Sequence, residues 1–154
     1  MSAEANLIEK GIQLPPAVKK GGVYKLVVQT GNLAYLSGHG PWQDDETFMT
    51  GRVGEEYDLE GAQNAARQTA LALVSTLKNH YGSLDRISRV VKMLALVNCT
   101  DDFKEQPQVI NGASNLFAEV FGEEAGIGAR SALGTNTLPG NIPVEIELIV
   151  EIKD

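Results

Sequence analysis

The chain has 154 residues, enough for one domain that can bury about 70% of its unfolded surface. Its 43% hydrophobic and 21% charged residues are those of a globular protein and exclude a disordered chain. With 13 Lys and Arg against 20 Asp and Glu the formal charge is −7, which repels phosphate backbones, so nucleic-acid binding is not expected.

Residues 1–22 read as a lead-in, where Pro15-Pro16 enforces extended backbone and Gly21-Gly22 permits a turn. Val23–Gln29 and Leu33–Ser37 then read as a β-hairpin that turns at Gly31-Asn32. Gly38-His39-Gly40-Pro41 is a glycine-rich bend, and Gln43–Gly54 a polar loop with room for a short strand at Thr50–Val53. Asp58 stands where a helix N-cap belongs, and Glu60 suits the positive end of the helix dipole. Leu59, Ala62, Ala66, Ala70, Leu73 and Leu77 recur every three or four residues, which predicts an amphipathic helix ending at Gly82. Ile87–Cys99, rich in β-branched residues, reads as a strand covered on both faces for much of its length. Periodicity leaves a helix open there, but the flanking turn residues favour the strand. A second helix is predicted over Phe103–Phe121, with Pro107 in its first turn and Gly122 as its stop. Val144–Ile152 is the clearest strand, with Val144, Ile146, Leu148, Val150 and Ile152 on one face.

This order predicts an α+β domain over 1–154, a mixed β-sheet of five to six strands with two helices packed on one face. The other face of the 87–99 strand is too apolar to stand in water, so a homo-oligomer is expected. Cys99 is the only cysteine, the first ten residues lack a secretory pattern, and no run of 18 apolar residues occurs. A cytoplasmic protein without membrane spans is expected.

No phosphate-binding glycine loop, dinucleotide fingerprint or nucleophile elbow is present. His39 and His80 stand far apart, so no metal site and no cofactor are expected. Arg130, after Gly128-Ala129, is the leading candidate, since its planar fork can grip a carboxylate; a surface ion pair is the ordinary role of such an Arg. Glu147 could hold a water or shuttle a proton, and its ordinary role is a solvated acidic face with Glu145 and Glu151. Tyr24 and Ser37-Gly38 are weaker candidates, since a strand aromatic and simple turn chemistry explain them equally well.

Tyr24, then Gly31-Asn32-Leu33 and Ser37-Gly38, and later Arg130-Ser131, Leu138-Pro139 and Val144-Glu145-Ile146-Glu147 together resemble the RidA/YjgF family. Its members are reactive-intermediate deaminases, also described as L-PSP endoribonucleases. The resemblance runs from about residue 20 to the end, and this chain looks like a longer branch with extra residues around Phe103–Val109. It implies a chorismate-mutase-like fold, a homotrimer and clefts between subunits. It also implies cofactor-independent hydrolysis of enamine and imine intermediates such as 2-aminoacrylate to a 2-keto acid and ammonia. Arg130 would hold the substrate carboxylate and Glu147 the attacking water. Tyr24, Ser37 and the backbone of Gly38 and Ala132 would line the site, with Ala132 where the family often has Cys. Ser114 falls where the family often has Asn, with Asn111 one turn earlier. A trimer that binds small carboxylate metabolites without turning them over is the alternative. A ribonuclease is opposed by the charge and by the lack of a His pair.

Overall fold

In the computed structural model, which describes residues 1–153, the elements are α1 (Ala3–Glu9), β1 (Val27–Thr30), β2 (Leu33–His39), α2 (Leu59–Tyr81), β3 (Ile87–Asn98), α3 (Gln106–Phe121), α4 (Glu123–Gly126), β4 (Ala129–Thr135) and β5 (Val144–Ile152). The strands form one five-stranded sheet in the order β1-β2-β5-β3-β4. Every neighbouring pair is antiparallel except β3 and β4. That pair is parallel because α3 serves as the crossover between them.

Helix α2 begins as its sequence requires. The Asp58 carboxylate accepts from the Gly61 amide at 2.8 Å, and Gly82, with φ 78°, ends the last turn by donating to the Lys78 carbonyl. Ala62, Ala65, Ala66, Ala70, Leu73, Val74 and Leu77 are all buried, a stripe of small and medium side chains that lets other elements come close. Helix α3 takes that opportunity. A methyl group placed on Gly112 would lie 2.1 Å from the Gln63 carbonyl oxygen, so only glycine permits this crossing. Arg67 and Glu119 clasp the pair with two hydrogen bonds of 3.0 and 2.8 Å.

The expected hairpin is present but shifted. Its first strand starts at Val27, so Tyr24 lies outside it in irregular backbone. Val53 makes only isolated bridges to Tyr57 and Cys99, so the Thr50–Val53 strand is not formed. The lead-in holds an unexpected helix. Ser2 caps α1, and Ala3, Asn6 and Leu7 are buried at helical spacing. Docking rather than propensity sustains two turns of helix: Asn6 donates to the Val120 carbonyl at 2.8 Å, and Lys78 reaches Glu4 at 2.8 Å. Among the described residues no helix is long and apolar enough to cross a membrane.

Both long helices cover one sheet face. Strand β5 buries Val144, Ile146, Leu148, Val150 and Ile152 beneath them. On β3 the helix side is buried as well, at Val90, Met93, Ala95 and Val97. The opposite side of β3, at Leu94 and Leu96, is only half-buried within the chain, where the sequence predicted cover on both faces. Around it the open face displays Val28 and Leu133, each 51% exposed, and Tyr35, 44% exposed.

The Gly112 contact gives a direct test. Gly112→Ala should force α2 and α3 apart, cost about 2 kcal/mol or more, and lower the melting temperature by about 6 °C in calorimetry.

Candidate functional site

Strand β2 carries an irregularity between Leu36 and His39 in its pairing with β5. The backbone there bends, and His39 turns inward until it is 2% exposed. Its Nδ1 lies 2.6 Å from the Ser37 carbonyl, so Nδ1 carries the proton and donates. Its Nε2 lies 2.8 Å from the Thr76 hydroxyl on α2 and accepts from it. The ring is thus neutral with both nitrogens satisfied, and burial pushes its pKa below the ordinary 6.5. His39 bolts the bend to α2 and fixes the path of Gly38 and Gly40 on either side.

A cavity of about 490 Å³ opens beside this bend, lined by Tyr24, Leu26, Gly38, His39, Phe48, Ile142 and Glu145 among others. The Glu145 carboxyl packs directly over Gly38. A methyl group at position 38 would lie 2.9 Å from its Cδ. Glu145 receives no hydrogen bond from the described residues, and burial, reinforced by the charge of Glu147, raises its pKa above 4.5. A half-buried carboxyl without a partner, aimed into a cavity, is equipped to exchange protons with a bound molecule.

The expected residues divide into three groups. Tyr24 and Gly38 line this cavity, and the Tyr24 hydroxyl accepts from the Gly21 amide at 3.0 Å. Ser37 is beside it, but its hydroxyl is spent on the Lys25 carbonyl at 2.6 Å. Glu147 is exposed on the open face and does not line the cavity. Glu145, two residues earlier on the same face, is the carboxyl that lines it. Spacing along β5 could not separate them; only the bend in β2 does.

Arg130, Ser114 and Ala132 form the third group, on the edge strand β4 and the neighbouring α3. Arg130 pairs in register with buried Met93, so its side chain rises on the helix face. There it donates to Ser114 Oγ at 3.1 Å, Asn111 Oδ1 at 2.9 Å and the Pro107 carbonyl at 3.3 Å. Asn111, passed over in favour of Ser114, therefore holds the guanidinium together with it. Both Nη2 protons are taken, so a two-pronged grip on a carboxylate requires Asn111 or the Pro107 carbonyl to let go. Ala132 pairs with buried Ala95 and stands one residue pair further along the same face.

Glu145 and Arg130 cannot meet within one chain. Glu145 pairs with Leu96, and Leu96 with Leu133, three residues beyond Arg130. That is about 10 Å across two strand spacings and about 10 Å along the strand, with the side chains on opposite faces. Among the described residues no three His, Cys, Asp or Glu side chains are grouped to hold a metal ion.

The family model for YjgF/chorismate mutase-like, putative endoribonucleases matches residues 4–152. The chain belongs to the YjgF family. Protein TCP17 of Trypanosoma cruzi is 41% identical over 150 residues, covering 97% of this chain and 94% of that protein. The crystal structure of Atu1372 from Agrobacterium tumefaciens is 41% identical, with a TM-score of 0.89 over 98% of this chain and 92% of that one. A Shewanella oneidensis protein solved under the same endoribonuclease description is 27% identical. Its TM-score is 0.93, over 99% of this chain and all of that one (100%).

Within this YjgF-family fold, His39 links the cavity to the stability of the whole. In the unfolded chain the imidazole gains its proton near pH 6.5, and in the folded chain only at lower pH. Its stabilising effect is therefore complete above 6.5 and is lost as the pH falls below it. The urea midpoint of the wild type should exceed that of His39→Gln, and the gap should narrow between about pH 7 and about pH 5.

Proposed function

We propose that this YjgF-family chain is a cofactor-independent imine and enamine deaminase, working in clefts between the copies of a cytoplasmic homotrimer. The observation that carries this reading is the division of its polar groups into two halves. Glu145 lies in a cavity on one side of the sheet, and Arg130 is held on α3 at the other, beyond mutual reach. One small ligand can touch both only if a second copy supplies the second half. The half-covered β3 and the exposed Val28, Tyr35 and Leu133 favour such an assembly.

In the proposed reaction, Arg130 of one copy takes the carboxylate of a 2-imino acid, which an enamine supplies by moving a proton from nitrogen to carbon. The imine carbon is already electrophilic, so the main requirement is a positioned water. Glu145 accepts a proton from that water as its oxygen bonds to the carbon. It returns that proton to nitrogen, which gives a carbinolamine. Glu145 then carries the carbinol hydroxyl proton to the amino nitrogen as the carbon–nitrogen bond breaks, so ammonia leaves and a 2-keto acid remains. A carboxyl with a raised pKa suits both directions of transfer near neutrality better than an ordinary solvated one. Glu145 thus takes the water-positioning role expected of Glu147. Tyr24 and the Gly38 backbone line the site, and Ala132 and Ser114 support the Arg130 half.

RNA cleavage is the reading opposed by the charge of −7. A trimer that only binds small acids would keep Arg130 and have no use for the protonation state of Glu145.

The test is hydrolysis of 2-iminobutyrate generated in situ, followed by ammonia release. Glu145→Gln should lower kcat about 100-fold while Glu147→Gln stays within about twofold. Arg130→Ala should lower kcat/KM by roughly 100-fold or more, and an unchanged rate in that variant ends the proposal. Sedimentation should give a mass near three times the 16.5 kDa of one chain.

A further inference from the structure

We infer that the Glu145 cavity selects 2-imino acids with a bulky apolar side chain over three-carbon ones. This rests on the deaminase reading and adds the substrate class.

The cavity has two chemically different ends, set by two glycines two residues apart. At Gly38 the neighbour is the Glu145 carboxyl. At Gly40 a methyl group would lie 2.8 Å from Ile142 Cδ1 and 3.2 Å from the Phe48 ring. Leu26 and Val18 add apolar surface to the cavity lining. Two residues of extended chain span about 7 Å, so the groups at Gly38 can hold the reacting carbon while a side chain of several carbons reaches Phe48.

Phe48 is 41% exposed, an aromatic ring at the cavity mouth within an otherwise polar and acidic loop. It is nevertheless held in place. Trp42 packs on it with ring centres 5.0 Å apart at 59°, and the two residues form a backbone bridge. Trp42 in turn donates to the Pro16 carbonyl at 3.2 Å, and its own carbonyl accepts from Gln68 on α2 at 2.6 Å. A fixed, partly uncovered aromatic wall is a surface that an apolar side chain of a ligand would cover. The cationic lining residue, Lys19, is already paired with Glu46 at 2.6 Å. Its charge is thereby partly offset before a substrate carboxylate arrives. At about 490 Å³ the space is several times larger than a three-carbon imino acid needs.

Each methylene buried against such a wall improves binding roughly three- to fourfold. The leucine-derived imine should therefore exceed the alanine-derived one by about tenfold or more in kcat/KM. Phe48→Ala should reduce that ratio at least threefold, and Phe48→Leu should restore most of it. In parallel, calorimetric titration with 4-methyl-2-oxopentanoate and with pyruvate reads the same preference without turnover. Turnover with a flat ratio, or a ratio that ignores Phe48→Ala, overturns the selectivity and spares the deaminase reading. Graded keto-acid binding without turnover of any imine overturns the deaminase reading and supports the selectivity. Neither turnover nor graded binding overturns both.

Discussion

A side chain in a strand can face only one side of its sheet, and nearly every functional feature of this protein follows from that restriction. Strand β5 sends five aliphatic residues under the helices, and the same alternation sends Glu145 and Glu147 to the open side. Strand β4 sends Arg130 to the helix side because its register partner, Met93, points there. The two groups best suited to handle a small acid are thereby kept apart in every isolated chain. Core formation and site division are linked: a register shift that turned Glu145 to the helix side would turn the aliphatic residues of β5 outward.

The helix layer makes this arrangement affordable in space. Small residues along α2 and Gly112 on α3 bring the two helices to backbone contact. Arg130 then finds α3 close enough to receive three hydrogen bonds from it, so the edge strand and the helix form one rigid platform. The cavity end depends on α2 in the same way. His39 hangs on Thr76, and Trp42 on Gln68. One helix thus sets both the bend beneath Glu145 and the aromatic wall facing it.

The acidic charge of the chain has local consequences at this site. Glu147 stands two residues from Glu145 and adds to the rise in its pKa that burial causes, since like charges on one face oppose ionisation. Being exposed, Glu147 retains its hydration, whereas Glu145 loses part of its own to the cavity wall. Two residues of the same type in the same strand are therefore set apart chiefly by their depth.

The sequence by itself determined the element order, the caps at Asp58 and Gly82, the alternation of β5 and the family, because each is written in local spacing and turn chemistry. It also singled out Arg130 and Tyr24. It did not disclose α1, whose two turns exist only by docking on Val120 and Lys78, or the late start of β1. Only the tertiary structure set Glu145 in the cavity and left Glu147 exposed, brought Asn111 to Arg130 beside Ser114, and set Phe48 over Gly40. Those choices depend on where an irregularity in β2 and a helix crossing bring distant segments together, and no spacing along the chain encodes such a meeting.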